Sequence, residues 1–84
     1  MPYILPEDRE RLRLLLLGLP EEIKTSGELA YVVTHLMHRF WKREPSFDNW
    51  ARTRGAVEDQ IDEMRRRLIA PYEDTKRGEN GDVF

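Results

Sequence analysis

The sequence predicts an all-α fold: a three-helix domain in which two long helices form a hairpin, preceded by a shorter N-terminal helix and followed by an extended C-terminal tail. Two observations carry this expectation. Apolar residues recur at three- and four-residue steps in three successive segments, and each segment opens on a helix-start signal of its own.

The first helix begins at Pro6, where a proline in the first turn is followed by Glu7, Asp8 and Glu10, carboxylates that suit the positive end of the helix dipole. Leu12, Leu15, Leu16 and Leu19 then repeat at helical spacing. Gly18 and Pro20 break the run, because a proline at 20 in a continuous helix would clash with the carbonyl of Leu16; a kink or restart is expected there. The second helix is expected from about Ser26 to Arg43, behind the capping box Thr25-Ser26-Gly27-Glu28. Its apolar residues, Leu29, Val32, Val33, Leu36, Met37, Phe40 and Trp41, form a stripe wider than one neighbouring helix covers. Glu44-Pro45-Ser46 ends it, since proline disfavours helical geometry in the residue before it.

Ser46 or Asp48 can cap the third helix, expected to run to about Ile69 with Trp50, Val57, Ile61, Met64 and Leu68 on one face. Arg54 falls on that face, and Ala51, Gly55 and Ala56 would allow a close helix approach. From Pro71 onward the apolar period is lost. Residues 71–84 are therefore expected to be a polar tail, disordered or laid along a neighbouring subunit, beside a helical domain of residues 1–70.

A chain of 84 residues hides only about 60–65% of its unfolded surface, so its core is marginal without a supplement. With no cysteine, disulfides and thiolate metal sites are unavailable, and the wide apolar stripe points instead to a homo-oligomer. The run Leu14-Leu15-Leu16-Leu17 is far too short to span a membrane, and the first residues lack the pattern of a signal peptide, so a cytoplasmic location without membrane contact is expected. Net charge is −2 despite 36% charged residues, which argues against binding duplex nucleic acid through bulk charge. The charge is uneven, however. Arg39, Lys42, Arg43, Arg52 and Arg54 face only Glu44 and Asp48 across the middle of the chain, so an anionic ligand would favour that region.

Four groupings carry possible chemistry. Lys24 and Thr25 at a helix start can bind phosphate, although Glu28 would compete for the same N–H groups, and capping alone explains them. Tyr31, Thr34, His35, His38 and Lys42 lie along roughly one side of the second helix, with Arg39 adjacent, and mix stacking groups with donors and cations, as nucleotide recognition requires; a solvated or intersubunit face is the simpler reading. Arg54 must pair with a carboxylate, reach past the core edge or meet an anion. Glu7-x-x-Glu10 and Asp59-x-x-Asp62, with Glu58 and Glu63, have the spacing of a Mg²⁺-binding carboxylate cage similar to that of MazG-type nucleotide pyrophosphohydrolases, but their arginine neighbours suit a solvated face better. No nucleophile elbow or cysteine nucleophile is present, so no enzyme, metal or cofactor is expected.

The opening Met1-Pro2-Tyr3-Ile4 with Pro6-Glu7-Asp8-Arg9, the middle Glu21-Glu22-Ile23-Lys24-Thr25 leading to Tyr31-Val32-Val33-Thr34, and the ending Ala70-Pro71-Tyr72-Glu73-Asp74 with Glu79-Asn80-Gly81-Asp82-Val83 together resemble a family of short phage- and prophage-associated proteins of unknown function. Gly18-Leu19-Pro20 and the arginine-rich third helix depart from the family's pattern. In size and helical content the chain is also similar to phage anti-defence sponges, oligomeric helical proteins that sequester nucleotide-derived immune signals. That resemblance implies a homo-oligomer in the cytoplasm of an infected bacterium that captures a nucleotide second messenger without turnover. Lys24, Thr25, His35, His38, Arg39 and Arg54 would then serve the phosphates, and Tyr3, Tyr31 or Tyr72 would stack on the base. The competing expectations are an adaptor with protein partners only and a Mg-dependent pyrophosphohydrolase.

Overall fold

A computed structural model describes residues 2–84; Met1, part of the opening motif, lies outside the described residues. The described residues are helical, with no strand, in the order α1 (Pro6–Leu16), α2 (Leu19–Glu22), α3 (Ser26–Trp41), α4 (Phe47–Met64), a π-helical turn (Arg65–Ile69) and α5 (Ala70–Asn80). α3 and α4 form the expected hairpin, with the shorter α1 ahead of it.

Start signals set the helix boundaries. α1 begins at Pro6 behind an extended Leu5, whose carbonyl accepts from Asp8 and Arg9 N–H at 3.0 Å each. It stops at Leu16, Gly18 takes a left-handed φ of 84°, and the chain restarts as α2. Glycine pays no Cβ penalty in that region, which makes the turn cheap here. The capping box forms at α3: Thr25 Oγ1 accepts from Glu28 N–H at 3.1 Å, while the Glu28 carboxylate accepts from Lys24 N–H at 3.1 Å and from the Thr25 hydroxyl at 3.3 Å. α3 ends at Trp41, two residues short of the expected Arg43, because the Trp41 carbonyl is taken by a turn bond from Glu44 N–H at 3.2 Å. Ser46 caps α4, its hydroxyl accepting from Asn49 N–H at 3.0 Å.

Two expectations are corrected. The chain does not become an extended tail at Pro71; residues 70–80 are helix α5. The reason is the π-helical turn just ahead, where Ala70 N–H bonds back to the Arg65 carbonyl five residues away. A residue without an N–H costs least where the ladder is already changing register. α5 then stands on its own i,i+3 ion pairs, Arg77 to Asp74 at 3.4 Å and Lys76 to Glu79 at 3.3 Å, and ends at Gly81, φ 89°. The 34 residues from Phe47 to Asn80 thus form one nearly continuous rod of about 50 Å at 1.5 Å per residue, which sets the long dimension of a molecule measuring 50 × 31 × 30 Å.

The second correction concerns the face of α4. Trp50 and Val57 of the expected face do turn towards α3, joined by Thr53, Ala56 and Gln60, whereas Ile61, Met64 and Leu68 are exposed. Of the small residues, Ala56 lines the groove between the two helices, while a Cβ built on Gly55 would meet nothing within 4 Å. Asn49 anchors the near end of this contact. Its side-chain amide donates to the carbonyls of Trp41 at 2.9 Å and Phe40 at 3.4 Å, turning the strip 49, 53, 56, 57, 60 inward.

No closed core results. Among the described residues no apolar side chain is buried, and Thr53, 3% exposed, is the one buried residue. α1 comes near α2 alone, and the side chains of Leu14, Leu15, Leu16 and Leu17 stand open to solvent.

Candidate functional site

The hairpin turn is the most tightly built part of the chain. Trp41 Nε1 donates to the Ser46 carbonyl at 3.0 Å, Ser46 Oγ donates to the Glu44 carbonyl at 3.3 Å, and Thr53 Oγ1 donates to the Asn49 carbonyl at 2.7 Å. The Asn49 amide satisfies carbonyls at the end of α3, and the Ser46 hydroxyl satisfies Asn49 N–H in the first turn of α4, groups that are otherwise orphaned at helix ends. The indoles of Trp41, held by its bond to Ser46, and of Trp50 line a hollow completed by Thr34, Met37, His38 and Thr53.

Tyr31, His35 and His38 lie along one side of α3, at i, i+4 and i+7, and make different neighbours there. Tyr31 and His35 touch, with ring centroids 4.4 Å apart and planes 51° to each other, on an exposed strip. His38 instead stacks towards Trp41, centroids 6.5 Å apart and planes 27° apart, at the rim of the indole hollow. His35 thus neighbours Tyr31, and His38 neighbours Trp41. Around the turn, Arg39, Lys42, Arg43 and Arg52 make no ion pair among the described residues, which leaves this end of the hairpin cationic.

Of the remaining candidates, Thr25 lines a hollow with Tyr31, Leu19, Ile23 and Val32, the others lie elsewhere, and all have partners within the chain. Lys24 N–H and Thr25 Oγ1 are bonded to the Glu28 carboxylate, so a phosphate at this helix start would have to displace a negative charge. Arg54 pairs with Glu58, Nε to Oε1 at 3.2 Å, the first of the three outcomes open to it from sequence. The Tyr3 hydroxyl donates to Glu63 Oε1 and accepts from Arg67 Nη1 at 3.3 Å, tying the segment before α1 to the far end of α4. Tyr72 sits on α5 with Lys76 Nζ 5.8 Å above its ring.

Three of the six carboxylates of the cage pattern are similarly engaged. Glu10 pairs with Arg13 at 2.7 Å, Glu58 with Arg54, and Glu63 accepts twice from Arg66, at 3.0 and 2.9 Å. Among the described residues, no three or more His, Asp or Glu side chains converge as a metal would require.

Sequence reasoning missed the groove that runs from the turn along the hairpin. Val33, Leu36, Met37 and Phe40 of α3 face Ala56 and Val57 of α4 across it. Its signal was present in the surplus width of the α3 stripe, which marked an uncovered surface without saying which helix would leave it uncovered. Within the described residues no helix is long and apolar enough to cross a membrane. A family model described as a domain of unknown function (DUF6899) matches residues 1–83. No curated protein and no solved structure matches the chain.

Proposed function

The chain belongs to the DUF6899 family of domains of unknown function, and we propose that it is a binding and assembly subunit, a helical hairpin that completes its core against further copies of itself. One observation carries this reading. The chain exposes 7868 Å², where a compact monomer of 10.0 kDa exposes roughly 5,200 Å². Its radius of gyration is 16.7 Å, against about 12 Å for a closed domain of this length. The excess, roughly 2,600 Å² per chain and so about 5,200 Å² for a pair, reaches the upper end of what obligate homodimers bury in total. Much of it is leucine, and contiguous apolar surface on this scale supports an interface. Light scattering tests the proposal: the expected mass is at least twice 10.0 kDa at micromolar concentration, with a melting midpoint that rises on concentrating the sample. A well-folded monomer with a concentration-independent melt overturns it.

A second reading is favoured by the exposed Tyr31–His35 contact and by Arg39 and Lys42, which have no carboxylate partner among the described residues. Aromatic stacking next to cations suits a nucleotide, and a crevice between subunits would supply the enclosure that one open helix lacks. On this reading the oligomer captures a nucleotide-derived second messenger without turnover, in the cytoplasm of a phage-infected cell, as the resemblance to anti-defence sponges implies. Tyr31, His35 and Arg39 are its leading residues, with His38 at the indole hollow. Lys24, Thr25, Arg54, Tyr3 and Tyr72 enter only if subunit contacts release their present partners. Calorimetry with cyclic dinucleotides, ADP-ribose derivatives and NAD should detect binding that Arg39→Ala weakens; heats of dilution alone across the panel sink it. Hydrolysis of nucleoside triphosphates with Mg²⁺ or Mn²⁺ would overturn the view that binding proceeds without turnover.

A further inference from the structure

The α3/α4 groove and the leucine helix α1 are complementary surfaces that the chain does not bring together. The groove is apolar along its floor, and its two polar residues ask nothing of a ligand: Thr53 Oγ1 already donates to the Asn49 carbonyl at 2.7 Å, and Gln60 Nε2 to the Ala56 carbonyl at 3.0 Å. An occupant must therefore be apolar. Along each wall the groove extends over two helical turns, Val33 to Phe40 and Thr53 to Gln60, about 10 Å at 1.5 Å per residue. Leu15 and Leu16 present an exposed ridge on one face of α1, with Leu12 half-buried on the same face.

The chain's own α1 is held away from this groove. Just before α1, Tyr3 is bonded to Glu63 and Arg67 near the end of α4, and just after α2 the Thr25 cap opens α3. Both tethers lie at the open end of the hairpin, whereas the groove runs towards its turn. The backbone of α1 accordingly approaches α2 alone.

We infer that α1 of one copy lies in the α3/α4 groove of a second copy, and that reciprocal exchange closes a two-fold pair. This rests on the assembly reading above and deepens it by naming the two surfaces that meet. Each copy carries one groove and one ridge, so a single two-fold axis satisfies both contacts at once and leaves no ridge free to propagate a chain. The roughly 2,600 Å² by which each copy exceeds a compact monomer is enough for both contacts in a stable dimer.

The absence of cysteine makes a disulfide test unambiguous. Leu15→Cys and Met37→Cys are prepared separately as full chains, mixed in equal amounts and oxidised, with light scattering on the unmodified chain alongside. The expected result is a dimer, and a disulfide joining one chain of each variant that forms several-fold faster in the mixture than any disulfide in either variant alone. A dimer without that mixed disulfide overturns the α1 exchange and leaves the assembly reading standing. A monomeric mass overturns both, and an intrachain disulfide in the Leu15→Cys/Met37→Cys double variant then identifies the chain's own α1 as the cover of its groove.

Discussion

The hairpin turn and the α1 arm are held by different kinds of interaction. At the turn, Trp41, Ser46, Asn49 and Thr53 form a connected set of side-chain to backbone bonds between 2.7 and 3.4 Å, enclosing the one buried residue. Along α1 every side-chain bond is a surface pair at i,i+3, Arg11 to Asp8 and Arg13 to Glu10, and Leu14, Leu15 and Leu16 remain exposed. Exposed pairs of this kind contribute about 0–1 kcal/mol, too little to hold 11 residues in place against an ordering cost of roughly 1 kcal/mol or more per residue. Hydrogen bonds can fix where a short chain turns, but without apolar burial they do not close it. The arm therefore needs a covering partner in a way the turn does not.

The sharpest way to break this contrast is to charge the leucine ridge. In an isolated chain Leu15 and Leu16 are 67% and 63% exposed, so Leu15→Glu with Leu16→Glu should be nearly neutral or improve solubility. If both are buried between copies, each gives up the roughly 1.5–3 kcal/mol of a buried leucine and adds an unpaired charge. The expected outcome is a loss of the dimer by at least about a thousandfold in dissociation constant, read by light scattering across a dilution series. An unchanged mass removes α1 from the interface.

Next in size is Asn49→Ala, aimed at the other region. It removes the side-chain donor from the Phe40 and Trp41 carbonyls, the second of which still accepts from Glu44 N–H, and loosens α4 against the end of α3. Losing these bonds costs about 0.5–1.5 kcal/mol each, seen as a drop in melting temperature on the order of 4–8 °C per kcal/mol for a domain of this size. Because Asn49 acts within one chain, the loss should persist at every protein concentration, unlike that of the α1 variant.

The same two regions show what the sequence could and could not tell. Helix starts were legible because each is written in one or two adjacent side chains: Pro6 with its acids, Thr25 with Glu28, and Ser46 ahead of Asn49. The continuation through Pro71 was not, since a π-helical turn depends on which carbonyl each N–H selects and leaves no apolar period to read. The face of α4 was legible only in part for a related reason. The apolar period picked Trp50, Val57, Ile61, Met64 and Leu68; Trp50 and Val57 do turn towards α3, but the Asn49 amide anchors Thr53, Ala56 and Gln60 beside them and the last three stay exposed. Among the candidate site residues, residue type correctly flagged groups that interact; it could not distinguish Arg54, already paired with Glu58, from Arg39, which has no such partner among the described residues.

Thr25→Ala has a smaller effect and separates two roles for one residue. Loss of an N-cap costs about 1 kcal/mol, and the bond to Glu28 N–H at 3.1 Å predicts that cost in thermal melts. If Thr25 only caps, nucleotide binding measured well below the melting temperature stays unchanged. If it also contacts phosphate, affinity falls by more than the stability loss explains, and the α3 N-terminus rejoins the site.

The smallest effect has the most informative sign. Gly55 lies inside α4 with a helical φ, and a methyl group there would meet nothing within 4 Å in the chain. In a lone hairpin Gly55→Ala should therefore stabilise by about 0.5–1 kcal/mol, since alanine loses less backbone freedom on entering a helix. A second copy packed against this stretch would reverse the result, because the space beside Gly55 would then hold another backbone or side chain and the methyl would force them apart. Melting the variant at low and high concentration reads the difference: stabilisation at both leaves Gly55 facing solvent, whereas stabilisation on dilution that turns to destabilisation on concentration puts the small-residue stretch of α4 in the contact between copies.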